Sequence, residues 1–177
     1  KPVIFVSGHF ANFELISMEL TKKNINLAII YRPLNNFFIN PLMEYLRKKY
    51  ICHNQIKKGL VGVKDSIYHI KNNCSIALMI DQRVSEGKKL PFFEQMALTT
   101  TLPAQLALKF NLDIVPVYMS RKTNDDFELE ICQPIKILSN DDAEANKLNV
   151  SIKLNKILEE MISRNPGQWI WTHNRWK

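Results

Sequence analysis

Short apolar runs alternate with stretches of helical periodicity along almost the whole chain, and that alternation narrows the fold more than any other feature. Residues 3–7 (VIFVS) form an apolar run, and 11–23 follow with Phe13, Ile16 and Leu20 at helical spacing. A second run at 27–31 ends at Arg32-Pro33, after which residues 36–49 put Phe38, Leu42, Tyr45 and Leu46 on one side of a helix. A short strand is expected at 50–53, a helix over 60–71 closed by Asn72-Asn73, and a strongly buried strand over 75–80. Residues 81–98 read as a charged loop. Residues 101–110 read as a helix with Thr at the cap and Pro103 in the first turn. Strands are expected at 113–119 and 127–132, polar loops at 120–126 and 139–148, and a helix at 150–164 before Pro166-Gly167. Strands separated by helices of this length argue for βαβ units. The expected fold is one α/β domain over residues 1–177, with a mainly parallel central sheet flanked by helices. The stretch 127–132 alternates Phe, Glu, Leu, Glu, Ile, the pattern of an antiparallel or edge strand.

Composition removes several classes of function. With 46% hydrophobic residues in 177, the chain can bury a core and is neither disordered nor a membrane bundle. Its apolar runs fall well short of the roughly 20 residues of a spanning helix, and no signal-peptide pattern is present. It begins at Lys1 and enters a strand almost at once, so a fragment is expected, with any membrane anchor upstream of it. The net charge of +7 favours anionic partners: nucleic acid, phospholipid headgroups or an acidic carrier. A merely basic protein would carry the same charge. Three widely spaced cysteines, with no C-x-x-C, suit a reducing compartment and argue against a disulfide framework or a zinc site. There are five glycines, and neither G-x-G-x-x-G nor a P-loop occurs, so nucleotide binding has little support.

In open α/β sheets ligands bind beyond the carboxyl ends of the strands. That rule selects Ser7–His9, Arg32 and Asp81–Arg83, which all follow a strand. His9 and Glu14 are five apart and share no face of a continuous helix. They meet only if His9 lies in the turn before the helix and Glu14 one turn inside it. Gly8 would permit a tight or left-handed turn there. The positive end of the helix disfavours imidazolium, while a carboxylate favours it and orients the ring. A neutral His so poised suits a general base. The bland alternative is a His that caps a helix beside a solvated Glu. Arg32 reads either as a surface residue or as a phosphate ligand. Asp81, Gln82 and Arg83 read either as a turn or as a charged triplet at the ligand edge. No G-x-S-x-G elbow offers a serine nucleophile.

"SGHFANFE", "YRPLNN", "DQR", "PFF" followed by "TTTLPAQLALK", and "NPGQWIWTHNRWK" occur in this order over nearly the whole chain. Together they resemble the lipid A biosynthesis acyltransferases, the lauroyl/myristoyl transferase family of the lysophospholipid acyltransferase superfamily. The family's N-terminal part with its hydrophobic anchor has no counterpart here. The resemblance places the family's H-x4-D/E motif on His9 and Glu14. It implies that His9 removes a proton from an acceptor hydroxyl, oriented and charged by Glu14, and that the alkoxide attacks a thioester carbonyl. Helix amides or a nearby cation are candidates for stabilising the oxyanion.

By the same resemblance Arg32 binds phosphate or positions the acceptor. Asp81, Gln82 and Arg83 match the Asp-Gln motif, with Arg83 a second anionic contact. Glu94 stands where Gly usually follows the two Phe, which puts the local turn in question. The tail residues Trp169, Trp171, Arg175, Trp176 and Lys177 read as core packing or as membrane-interface contacts. The implied partners are acyl carrier protein, which brings the acyl group as co-substrate, a lipid A precursor and an anionic membrane surface. The implied location is the cytoplasmic face of a bacterial inner membrane. No cofactor, metal or nucleic acid is expected. A glycerolipid acyltransferase is the neighbouring alternative, disfavoured by the lack of an E-G-T-R-like motif. A non-catalytic membrane- or nucleic-acid-binding module is the other, and it leaves His9 beside Glu14 unexplained.

Overall fold

In the computed structural model, which describes residues 1–135, 137 and 142–176, five parallel strands and one antiparallel edge strand form the central sheet. The chain runs β1 (Ile4–Ser7), α1 (Glu14–Lys22), β2 (Leu27–Tyr31), α2 (Ile39–Tyr50), β3 (Asn54–Lys57), α3 (Leu60–Lys71) and β4 (Ser75–Met79). It continues as β5 (Lys88–Phe92), β6 (Gln95–Thr99), α4 (Leu102–Phe110), β7 (Ile114–Arg121), β8 (Phe127–Ile131), α5 (Ala143–Arg164) and a 3₁₀ turn, Pro166–Gln168. The sheet order is β3-β2-β4-β1-β7-β8. β8 pairs antiparallel to β7, with Val117 opposite Ile131, as its alternating sequence predicts. This is the α/β fold expected from the sequence.

Every residue of β1 is buried because both faces of the sheet are covered. Ile4 and Val6 pack with Ile76, Leu78, Leu106 and Leu158 on one face. Phe5 packs with Ile16, Leu20, Ala77 and Val115 on the other. Pleating sends neighbouring residues to opposite sides, so the two cores are read from one strand.

The structure departs from the sequence reading in three places. The short strand forms at Asn54–Lys57 rather than 50–53, because Tyr50 still belongs to α2 and only Ile56 of the strand is fully buried. Residues 81–98 are no loop: β5 and β6 form a hairpin that buries Leu90, Phe92 and Ala97 while Lys88 and Lys89 face solvent. Their two-residue turn puts Phe93 at φ 47° and Glu94 at φ 62°, the left-handed pair a tight hairpin demands. Finally, the last long helix starts at Ala143. The Asp142 side chain caps it by accepting from the amides of Glu144 and Ala145, so 143–148 are helical, and residues 139–141 lie outside the described set.

Candidate active site

The carboxyl ends of β1, β2 and β4 bring His9, Arg32 and Asp81–Gln82 to one edge of the sheet. Gly8 serves this edge by close approach: a Cβ there would stand 2.8 Å from the Phe10 ring, which fills the core. The left-handed residue of the turn is Ala11, at φ 46°, and not Gly8. Phe10 bridges to Trp169, Ala11 donates to the Gln168 carbonyl, and the C-terminal tail is thereby fastened against the turn.

The carboxylate that orients His9 is Asp81. The His9 Nδ1 lies 2.7 Å from Asp81 Oδ1, and the His9 amide donates to Oδ2 at 2.9 Å. The indole Nε1–H of Trp169 donates to the same Oδ2 at 2.8 Å. Asp81 is almost fully buried, which by itself raises its pKa. The bonds and charge of His9 and the Trp169 bond outweigh burial and hold the carboxyl below its usual value. Asp81 is therefore ionised and can only accept, so Nδ1 carries the proton, and Nε2 is the ring nitrogen left to exchange one. Phe13 packs edge-on to the imidazole, with centroids 4.6 Å apart. Gln82 Nε2 lies 3.5 Å from His9 Nε2, too far for a strong hydrogen bond.

Glu14 does not take the orienting position. Its Oε1 accepts from Arg47 Nε at 3.0 Å and Nη2 at 2.5 Å, which ties α1 to α2. The reason is where the helix starts: His9 lies in the stretch before it, as expected, but α1 begins only at Glu14, with Phe13 as its cap, so Glu14 is the first helical residue rather than one turn inside. Both side chains nonetheless line one pocket of about 420 Å³, together with Arg32, Lys58 and Gln82. Phe5, Ile29 and Ala77 give the same pocket an apolar wall. Lys58 is held below its ordinary pKa, chiefly by loss of water around its head and then by the charge of Arg32. Arg32, Lys58 and the Glu14-paired Arg47 thus all share the pocket's lining. Arg83 is exposed and does not line it.

Three contributors escaped the sequence reading. Arg47 is one of several cations in "LRKKY" and carries no local signal, and the sequence around Lys58 fits solvated surface or a basic contact for an acidic carrier or anionic headgroups, not a pocket wall. Trp169 was legible as core packing or as a membrane-interface contact but not as a partner of Asp81, since nothing local links the two. In the tail, Trp169 is buried and Trp171 exposed. Arg175 is wholly buried: it donates to the Leu98 carbonyl and Thr99 Oγ1 and lies 4.9 Å from the Phe92 ring centroid. Burial lowers its pKa to about 10, against a raising effect from Asp81. Lys177 lies outside the described residues. Among the described residues no helix is long and apolar enough to cross a membrane.

One protein-family model, described as bacterial lipid A biosynthesis acyltransferase, matches residues 1–177, the whole chain. The chain belongs to that family. A comparison with curated proteins returned no match. Membership in the lipid A biosynthesis acyltransferases makes the protein an acyl-transferring enzyme. The pocket of this acyltransferase brings the His9 imidazole beside cations and an apolar wall.

Proposed function

We propose that this acyltransferase moves a fatty acyl group from an acyl carrier protein thioester to a hydroxyl of a lipid A precursor, with His9 as general base. The observation that carries the reading is the Asp81–Nδ1 bond, which leaves Nε2 as the free ring nitrogen of a histidine that lines the pocket. Nε2 takes the acceptor's hydroxyl proton as its oxygen attacks the thioester carbonyl. The C–S bond then breaks and the imidazolium returns the proton to the departing thiolate. A positioned base of this kind contributes about 10²- to 10⁴-fold in rate. The thioester is already activated, so the scheme calls for no cofactor.

Arg32 and Lys58 suit the phosphate of a phosphorylated glycolipid, since guanidinium binds phosphate bidentately. Phe5, Ile29 and Ala77 suit an acyl chain. Glu14 enters through Arg47, whose guanidinium it holds at the pocket wall. The reaction belongs on the cytoplasmic face of a bacterial inner membrane, where carrier and lipid acceptor meet. The test incubates the purified protein with acyl carrier thioester and lipid A precursor and reads the product by mass spectrometry. A mass gain of one acyl group on the precursor is expected. Transfer to lysophospholipid or glycerol phosphate in preference to the precursor would overturn the assignment of acceptor.

A further inference from the structure

α2 leaves an apolar stripe facing outward. Its inward side holds a polar network beside the half-buried Met43 and Leu46: Asn40 donates to Glu44, which accepts from Tyr31 Oη at 2.7 Å and pairs with Lys57 at 3.3 Å, while Arg47 grips Glu14. Its outward stripe is Phe38, Leu42 and Tyr45, continued by Lys48 and Lys49, and no residue of the helix is fully buried. Phe37 and Phe38 are 82% and 89% exposed, two aromatic rings standing in solvent. They are held out by structure. Asn36 Oδ1 accepts from the amides of Phe38 and Ile39, Asn40 Oδ1 accepts from the Leu34 amide, and the two rings stack edge to face. Leu60 and Val61, 89% and 69% exposed, stand beyond β3, whose end pairs with that of β2 at Lys57 and Tyr31.

The geometry points to this face, the 34–38 loop with the outer stripe of α2 and the start of α3, as the surface by which the protein docks on an anionic phospholipid bilayer. The inference rests on the acyltransferase reading, because it supplies the route by which a lipid acceptor reaches the pocket. Charge complementarity selects the occupant. Residues 32–50 carry Arg32, Lys48 and Lys49 besides Arg47, which is turned inward onto Glu14, and their single acid, Glu44, is likewise turned inward and paired. Protruding aromatics flanked by cations match an interfacial helix that buries its apolar side at the headgroup boundary. Continuity with the site adds to this. Pro33, Leu34 and Asn35 line the pocket and lead directly into Phe37 and Phe38. An acidic carrier protein would satisfy the cations but has no need of two aromatic side chains standing clear of the surface.

The test is co-sedimentation with vesicles of phosphatidylcholine alone and of phosphatidylcholine with phosphatidylglycerol. Binding to the anionic vesicles is expected to be stronger and to weaken with salt. Phe37→Ser and Phe38→Ser are each expected to weaken it about tenfold, from lost burial of one aromatic ring. Both residues are exposed and outside the pocket lining, so the double variant keeps its circular dichroism, its melting temperature and its transfer to acceptor dispersed in detergent. Absence of binding to anionic vesicles by the parent protein, or equal binding by the double variant, overturns the inference. So does loss of carrier-protein binding in the variant with vesicle binding intact, which would make the face a protein dock. Sedimentation is read without catalysis, so a protein that binds vesicles but transfers no acyl group contradicts the functional reading and leaves this one standing.

Discussion

Replacing Asp81 by Asn is the sharpest perturbation of the site, because it preserves shape and removes one acceptor. The carboxylate receives three donors: His9 Nδ1 at 2.7 Å, the His9 amide at 2.9 Å and Trp169 Nε1 at 2.8 Å. Two of them converge on Oδ2. An asparagine keeps both by placing its single oxygen there, and its NH₂ then faces Nδ1. A donor facing Nδ1 forces the ring proton onto Nε2, the atom that must be bare to act as base. The opposite amide orientation would leave two donors without an acceptor, at about 1–3 kcal/mol each. The competent tautomer is thus disfavoured by about 2–6 kcal/mol, or roughly 30-fold to 10⁴-fold in rate. The assay is kcat for acyl transfer by the variant, with a thermal melt to show that it is folded. A folded Asp81→Asn protein within about threefold of the parent in kcat would refute the tautomer argument, since even the lower bound exceeds that.

Glu94→Gly should raise stability by about 0.5–1 kcal/mol, because glycine takes φ 62° without the penalty of a Cβ; denaturant unfolding checks it. Arg175→Ala should cost about 2–4 kcal/mol by removing the buried donor to the Leu98 carbonyl and one of two donors to the Thr99 hydroxyl and by leaving a cavity, read as a lowered denaturation midpoint. Asp81 also imposes an acid limb on stability. Its folded pKa lies below its unfolded value, so its contribution is complete above about pH 4 and is lost as pH falls through the lower folded value. Unfolding midpoints measured down that range should therefore fall more steeply for the parent than for Asp81→Asn.

The order of strands and helices was legible because burial on both faces writes near-continuous apolar runs, as in 3–7 and 75–80, and helices write their own period. The hairpin at 88–99 was missed because Lys88, Lys89 and Glu94 give it a loop's composition, and its turn uses Phe93 and Glu94 where glycine or asparagine would have announced it. In the site, His9, Arg32, Asp81 and Gln82 were found by one rule, that ligands lie past strand ends. Their partnership was not. Asp81 and His9 are 72 residues apart in sequence, and only the parallel pairing of β1 with β4, Ser7 opposite Met79, brings them together. Glu14 lay closer in sequence and so looked the better partner, yet Arg47 had no local signature to show that it claims that carboxylate.

The most direct measurement is single-turnover transfer from labelled acyl carrier thioester to lipid A precursor by the parent protein and by His9→Ala. The parent should pass the label to the acceptor with none held covalently on the protein, and the variant should be slower by about 10²-fold or more while melting as the parent does. Transfer at the parent's rate by a folded His9→Ala protein would contradict the assignment of this imidazole as the base.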